Sequence, residues 1–169
     1  MSDEIINKVA ESGLVTFNLE DYYPKGERKV LDIKGWLYEE LILKEKDFRS
    51  FVKDHDWEQY SNSYVAVACS TDAIIPTWAY MLIATKLQPF ARKLIFGSLN
   101  ELEMLLYHEA LSSVDPKTFQ DQRVVIKGCS NLPVPVSAYV EITSLLRPYT
   151  KSIMYGEPCS TVPLYKRKD

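Results

Sequence analysis

The hydrophobic positions in the second part of the chain form four short apolar runs, separated by segments with helical spacing. The predicted strands are Tyr64–Ala68, Lys93–Phe96, Arg123–Ile126 and Lys151–Tyr155. Short strands that are almost wholly apolar are typical of parallel sheets covered on both faces. Strands alternating with helices therefore predict an α/β fold: a mostly parallel sheet with helices on its faces.

Prolines mark the ends of the helices between these strands. Two lie where a helix is predicted to begin and two where one ends: Pro76, Pro135, Pro89 and Pro148. Proline fits the first turn of a helix but stops a helix further along. The middle helix has no proline at its start, and Ser98 or Asn100 is its predicted N-cap.

The first third of the chain is less regular and richer in charge. Segments 13–19 and 29–33 have strand patterns, and the spacing of apolar residues from Gly35 to Asp56 fits one or two amphipathic helices. The apolar positions of this helical stretch are Leu37, Leu41, Phe48, Phe51 and Val52. We expect one domain over residues 1–169, with 1–60 as an N-terminal covering layer on a core of 61–169.

The core contains an internal repeat. Without a gap, the stretch from Pro76 to Gly97 matches the stretch from Pro135 to Gly156. The identical pairs include Ala79/Ala138, Tyr80/Tyr139, Ile83/Ile142, Leu87/Leu146 and Pro89/Pro148. Upstream, a Cys-Ser pair follows the first strand of each copy. The core is therefore predicted to be a duplicated strand, Cys-Ser loop, helix and strand unit.

The repeat brings the three cysteines into one prediction. Cys69 and Cys129 each follow a strand, and Cys159 lies just beyond the last one. Because parallel strands joined by right-handed crossovers end at the same edge, we expect the three thiols to converge there. With Asp72 as a fourth ligand they form a candidate site for zinc, iron or an iron-sulfur cluster.

Other interpretations of the same residues stay open. Cysteine is often a buried, inert hydrophobe, and the duplicated units would then form a protein-interaction scaffold. A cysteine-nucleophile enzyme is a third possibility, although no histidine lies near a cysteine in the sequence. Asp72 is also a candidate helix cap. His55 and His108 are fallback metal ligands, but surface positions are expected for both.

Composition narrows the function class. The net charge of −3 and a pI near 5.5 do not favour a nucleic-acid footprint. No signal peptide pattern and no long apolar segment occurs, so a cytoplasmic protein without membrane contact is expected. Three cysteines in a reducing compartment do not suggest a disulfide framework. No glycine-rich phosphate loop is present, and the sequence identifies neither a protein partner nor an oligomeric state.

Several strings across the chain are similar to those of a known bacterial family. They are Lys46–Arg49, His55–Trp57, Cys69–Tyr80 and Tyr155–Pro163. They resemble the family catalogued as domain of unknown function 2480, and the resemblance covers nearly the whole chain. It implies no established activity. It does imply a gene context of iron-sulfur cluster assembly, which would suit an accessory role for a three-thiol site.

Overall fold

The computed structural model describes residues 13–128 and 131–168. The strands are β1 (Leu14–Asn18), β2 (Arg28–Asp32), β3 (Tyr64–Ala68), β4 (Lys93–Phe96), β5 (Arg123–Lys127), β6 (Ser152–Glu157) and β7 (Ser160–Lys166). The α-helices are α1 (Glu45–Asp54), α2 (Thr77–Leu87), α3 (Leu99–Leu111) and α4 (Val136–Leu146). Short 3-10 helices at Leu19–Tyr22, Ile33–Trp36, Glu58–Tyr60 and Pro116–Phe119 complete the described secondary structure.

The chain divides into two compact units. One comprises Lys25–Glu103 and holds a three-stranded sheet in the order β2-β3-β4, so we call it the three-stranded unit. The other comprises Met1–Pro24 and Met104–Asp169, with a sheet in the order β1-β5-β6-β7, and is the four-stranded unit. All neighbouring strands are parallel except β6 and β7, which form an antiparallel hairpin.

The core of the three-stranded unit lies between its sheet and two helices. Val65 and Val67 of β3 pack on residues of α1 and α2, and the buried residues of α2 recur every four positions: Ala79, Ile83 and Leu87. This spacing places one stripe of an α-helix against the sheet. At full burial, larger aliphatic side chains such as Ile83 and Leu87 each contribute about 1.5–3 kcal/mol of hydrophobic free energy.

The four-stranded unit is built in the same way. Val124 and Ile126 of β5 pack against a helix stripe of Ala138, Ile142 and Leu146. Tyr107 and Leu111 of α3 are buried in the same cluster. The hydroxyl of Tyr107 donates a hydrogen bond to the carbonyl of Leu19 at 3.3 Å, so the buried phenol keeps a polar partner.

Local features recur in the two units at matched positions of the repeat. Asn62 and Asp121 both have positive φ, at 55° and 59°, and their N–H groups donate to the carbonyls of Phe90 and Tyr149. The ring of Tyr80 packs on Phe96 as that of Tyr139 packs on Tyr155, with centroids 4.8 and 5.8 Å apart. These recurrences agree with a duplicated unit, and the duplication itself remains a prediction to be tested by superposition.

The predicted α/β class with mostly parallel strands is confirmed, and the structure adds an unexpected division. The strands belong to two sheets, where the sequence predicts one. The first third does more than cover the core, because β1 pairs with β5 and β2 with β3. Pairing between strands so distant in sequence depends on register and packing, which the local apolar pattern does not encode.

Helix boundaries agree well, with one difference in the first third. Ser98, one of the two predicted caps, caps α3: its Oγ accepts from the N–H of Glu101 at 3.3 Å, and its own N–H donates to the Glu101 carboxylate at 2.6 Å. The stretch that is predicted to be helical from Gly35 onward forms an α-helix only from Glu45, where α1 begins. Leu41 and Phe51 are 55% and 45% exposed instead of buried. Within the described residues, no helix has both the length and the apolar character needed to span a bilayer.

Candidate functional site

The loop after β3 carries the first predicted site residue. Cys69 follows the strand directly and is half-buried, and its thiol donates to the carbonyl of Thr71 at 3.7 Å. This contact turns the thiol back into its own loop. Ser70 is exposed beside it. The Cys-Ser loop thus lies at the carboxyl end of a parallel strand, as the sequence predicts.

A carboxylate from β2 holds this loop in place. Oδ1 of Asp32 accepts hydrogen bonds from the N–H groups of Ser70 and Lys34, at 3.1 and 3.0 Å. Partial burial raises the pKa of Asp32, but hydrogen bonds from Ser70 and Lys34 outweigh this and hold its pKa below the usual value. Asp32 therefore caps its own 3-10 helix and anchors the loop that carries Cys69.

Tyr80 of α2 is the third polar group at this edge. Burial raises the pKa of its phenol, and negative charge on Cys69 and Asp32 raises it further. The protonated phenol is consequently the stable form at neutral pH. A neutral phenol, a thiol and a solvent-facing carboxylate form a polar corner, and the two described histidines hydrogen-bond to other residues, His55 to Tyr60 and His108 to Glu141.

The four-stranded unit has a comparable arrangement. Oε1 of Glu20 accepts from the N–H of Asn131 at 2.9 Å and of Leu132 at 3.4 Å. A Cβ atom on Gly128 would lie 2.7 Å from the Tyr139 hydroxyl, so the chain approaches this ring too closely for a side chain. In both units, loop N–H groups at the strand ends are satisfied by the chain's own carboxylates. That role competes with the binding of an external anion.

The cysteines are distributed over both units. Cys69 belongs to the three-stranded unit, whereas Cys159 lies exposed in the turn between β6 and β7 of the four-stranded unit. Cys129 lies outside the described residues. The expectation of one shared sheet edge fails, because β3 and β6 belong to different sheets. Within 13–128 and 131–168, no three Cys, His, Asp or Glu side chains form a group that could hold a metal ion.

The other candidate ligands have individual positions. Asp72 is exposed in a bend of the loop after β3, and α2 has Pro76 as its N-cap without a side-chain cap, so Asp72 is not the cap. His108 is exposed and pairs with Glu141 at 2.8 Å. His55 is not a simple surface residue: its half-buried ring packs edge-on to Trp36 and Trp57, with centroids 5.0 and 4.8 Å away.

A surface that sequence reasoning missed lies along β4, which with β2 is one of the two outer strands of its sheet in the described chain. The N–H of Gly97 donates to Val67 of β3 at 2.9 Å, so the backbone groups of Gly97 and Ile95 face β3. Backbone groups alternate along a strand, and those of Leu94 and Phe96 therefore point to the outer edge.

An apolar groove runs beside this edge. It has a volume of about 470 Å³, and its walls include Tyr80, Met81, Leu94 and Phe96. Phe96 is 69% exposed and Met81 64% exposed, which is unusual for large apolar side chains that lie together. We call β4 and this groove the β4 edge. No local sequence pattern marks this surface, because strand pairing decides whether β4 has an open edge.

The matched position in the four-stranded unit is covered. β6, the counterpart of β4 in the repeat, pairs with the antiparallel strand β7. Ile153 and Tyr155, which match Leu94 and Phe96, lie opposite Tyr165 and Val162 of that strand. One unit therefore carries an added strand where the other has an open edge.

Comparisons with known proteins give a family and no activity. A family model described as "Protein of unknown function (DUF2480)" matches residues 3–167. Neither the curated proteins nor the solved structures include a match to this chain.

Proposed function

We propose from its geometry that this chain, which belongs to the DUF2480 family of proteins of unknown function, is a protein-interaction module. Membership of this family does not itself supply an activity. Its β4 edge binds an extended segment of a partner protein, which adds a strand to the three-stranded sheet. The observation that carries this proposal is the open edge of β4 at the position where β6 binds β7.

The chemistry of the edge suits such a partner. Leu94 and Phe96 offer two N–H donors and two carbonyl acceptors for pairing with an extended chain. The apolar groove beside them accepts alternate side chains of the bound strand. Strand addition in this way obtains affinity from main-chain hydrogen bonds and specificity from side-chain pockets. The β6–β7 pairing favours an antiparallel partner with apolar residues at alternating positions.

The variant that tests this is Phe96→Pro. Proline removes the outward N–H while leaving pairing to β3 intact, because the lost donor faces away from β3. Phe96→Leu is the matched control, since it keeps both the N–H and an apolar side chain. Random peptides of about twelve residues displayed on phage are selected against the wild-type protein.

Enriched peptides that lose binding to Phe96→Pro and keep it with Phe96→Leu support the proposal. Peptides that bind all three proteins equally, or no enrichment at all, refute it. Sedimentation of the protein alone covers a further outcome. Self-association that Phe96→Pro abolishes would make the occupant a second copy and overturn the assignment to a partner protein.

We propose the thiolate site as a second function: Cys69, Cys129 and Cys159, with Asp72, hold zinc, iron or an iron-sulfur cluster in an accessory role. Its support is that Cys69 is a free, half-buried thiol and Cys159 a free, exposed one, so neither sulfur is consumed in a disulfide. Metal analysis of protein purified without oxygen tests it. Each single Cys→Ser change should abolish stoichiometric metal, and unchanged content in all three variants refutes the site.

A further inference from the structure

Next to α1 lies a second groove that the β4 edge does not use. Its volume is about 470 Å³, and it is formed by the turn after the 3-10 helix Ile33–Trp36 and by one side of α1. Three aromatic rings and three carboxylates line it: Trp36, Tyr38, Phe51, Glu39, Asp47 and Asp54. We call it the aromatic-acidic groove.

The aromatic wall is held rigidly from behind. Trp36 stacks on Phe51 with centroids 6.2 Å apart and planes 3° from parallel. Its other ring contacts are edge-on, to His55 at 5.0 Å, to Phe48 at 5.8 Å and to Trp57 at 6.2 Å. Buried Phe48 anchors this cluster to the core. The indole is therefore fixed in one orientation before any ligand binds, which lowers the entropic cost of binding.

The apolar rings at the mouth of the groove are solvent-exposed. Phe51 is 45% and Tyr38 47% exposed. On α1, the core uses Phe48 and Val52, and Phe51 lies beside this buried stripe. Two aromatic rings are thus left at the surface next to a rigid indole. A role in the core therefore does not explain why these two rings lie at the surface.

Charge decides which ligand suits these rings. The groove lining contains Glu39, Asp47 and Asp54 but no Lys, Arg or His. Carboxylates close to aromatic faces attract a cation, because the ring face and the carboxylate are both negative. The chain itself contains an example at this place: the ammonium of Lys44 lies 3.3 Å from the ring centroid of Tyr38. In the described chain, no cation lies over Trp36 or Phe51.

We propose that the aromatic-acidic groove binds a lysine or arginine side chain of a partner polypeptide. The size of the groove fits a long basic side chain better than a small ammonium ion. The aliphatic stem packs along Trp36 and Phe51 while the charged head reaches Asp47 or Asp54. This site is independent of the β4 edge and stands whether or not a strand binds there.

The test uses the full chain and a fluorescein-labelled peptide of about twelve residues, glycine and serine with two central lysines. Binding is followed by fluorescence anisotropy and by the change in tryptophan emission. The double variant Asp47→Asn/Asp54→Asn should lose about tenfold in affinity, and Phe51→Leu several-fold. The double variant Glu27→Gln/Glu58→Gln is the matched control, because it removes the same charge from exposed residues outside the groove.

Glu39→Asn separates binding from folding. Glu39 has φ of 51°, a conformation that asparagine adopts more readily than glutamate. The variant should therefore be at least as stable in thermal unfolding while binding the peptide more weakly. Binding that survives the groove variants, or that falls equally in the control, refutes the proposal. Equal affinity for free spermidine would make the occupant a polyamine and overturn the peptide assignment.

Discussion

Replacing Asp32 by alanine tests the anchoring of the Cys69 loop. The variant loses the acceptor for the Lys34 N–H, a cap of a kind that contributes about 1 kcal/mol. It also loses the acceptor for Ser70, whose hydrogen bond to a charged group contributes about 1.5–3 kcal/mol when sheltered from water. Since Asp32 is exposed, solvent replaces part of both. We expect a total loss of about 1–3 kcal/mol in the free energy of unfolding.

The pH dependence of this loss gives a second, independent signature. The folded-state pKa of Asp32 is lowered, so its contribution is present above the unfolded-state value of about 3.9. It is lost as the pH falls through the folded-state pKa. The difference between wild type and Asp32→Ala should therefore be largest near neutral pH and should shrink below about pH 4.

Urea unfolding followed by tryptophan fluorescence is a suitable assay. All three tryptophans, Trp36, Trp57 and Trp78, lie in the three-stranded unit and report on it selectively. Asp72→Ala is the control, because Asp72 is an exposed carboxylate of the same loop and should change stability by less than about 0.5 kcal/mol. Asp32 does not anchor the loop if Asp32→Ala and Asp72→Ala lower the free energy of unfolding equally at neutral pH, or if the effect of Asp32→Ala persists undiminished in acid.

Three further predictions test the fold. Ile83→Ala and Ile142→Ala remove matched, fully buried side chains. Each should lower the free energy of unfolding in urea by about 2–5 kcal/mol, and a small effect at either position would contradict the described packing. Burial lowers the pKa of His55, and the charge of Asp56 opposes this shift. The free energy of unfolding should therefore fall as the pH drops below about 6.5, because the unfolded state takes up the proton more readily. The same decline in a His55→Gln variant would contradict this prediction. Deleting residues 1–60 removes β1 and β2, so the remainder should not show cooperative thermal unfolding by circular dichroism, and a stable folded fragment would refute that dependence.

Elements with strong local signals could be predicted from the sequence. The strand Tyr64–Ala68 was identified at its observed bounds, because five apolar residues in a row have no other simple placement in a covered sheet. Ser98 is one of two predicted caps, with Asn100, because a small polar residue before an apolar helix has a specific hydrogen-bonding role, and Ser98 is the observed cap. In each case the determining interaction is within a few residues along the chain.

The division into two sheets could not be predicted by the same reasoning. β1 pairs with β5 across most of the chain, and no residue in either strand specifies its partner. Phe51 illustrates a related limit. Its helical spacing from Phe48 predicts burial, but the short α1 offers only Phe48 and Val52 to the core. Periodicity identifies a helix face but not how much of that face a neighbour covers.

The candidate site was predicted in part. The repeat located the Cys-Ser loops, but the carboxylates that hold them, Asp32 and Glu20, come from the first third and carry no repeat signal of their own. The structure shows what they share: Asn18 and Asp32 each end an observed strand just before a buried aliphatic residue, and both side chains cap the following 3-10 helix. Matching these two segments would have extended the repeat to both sheets.

Matched units with different edges explain why the β4 edge is the most informative surface. A sheet edge with exposed backbone groups is an aggregation hazard, and proteins usually pair, cover or charge it. The four-stranded unit pairs its edge with β7, whereas the three-stranded unit leaves exposed Phe96 and Met81 beside β4. If the repeat arose by duplication, both edges began alike and only one acquired a strand from its own chain. A strand supplied from outside the chain would then complete the three-stranded sheet in the way that β7 completes the four-stranded sheet. The Phe96→Pro experiment tests for this strand, because the variant should lose the binding that such a strand provides.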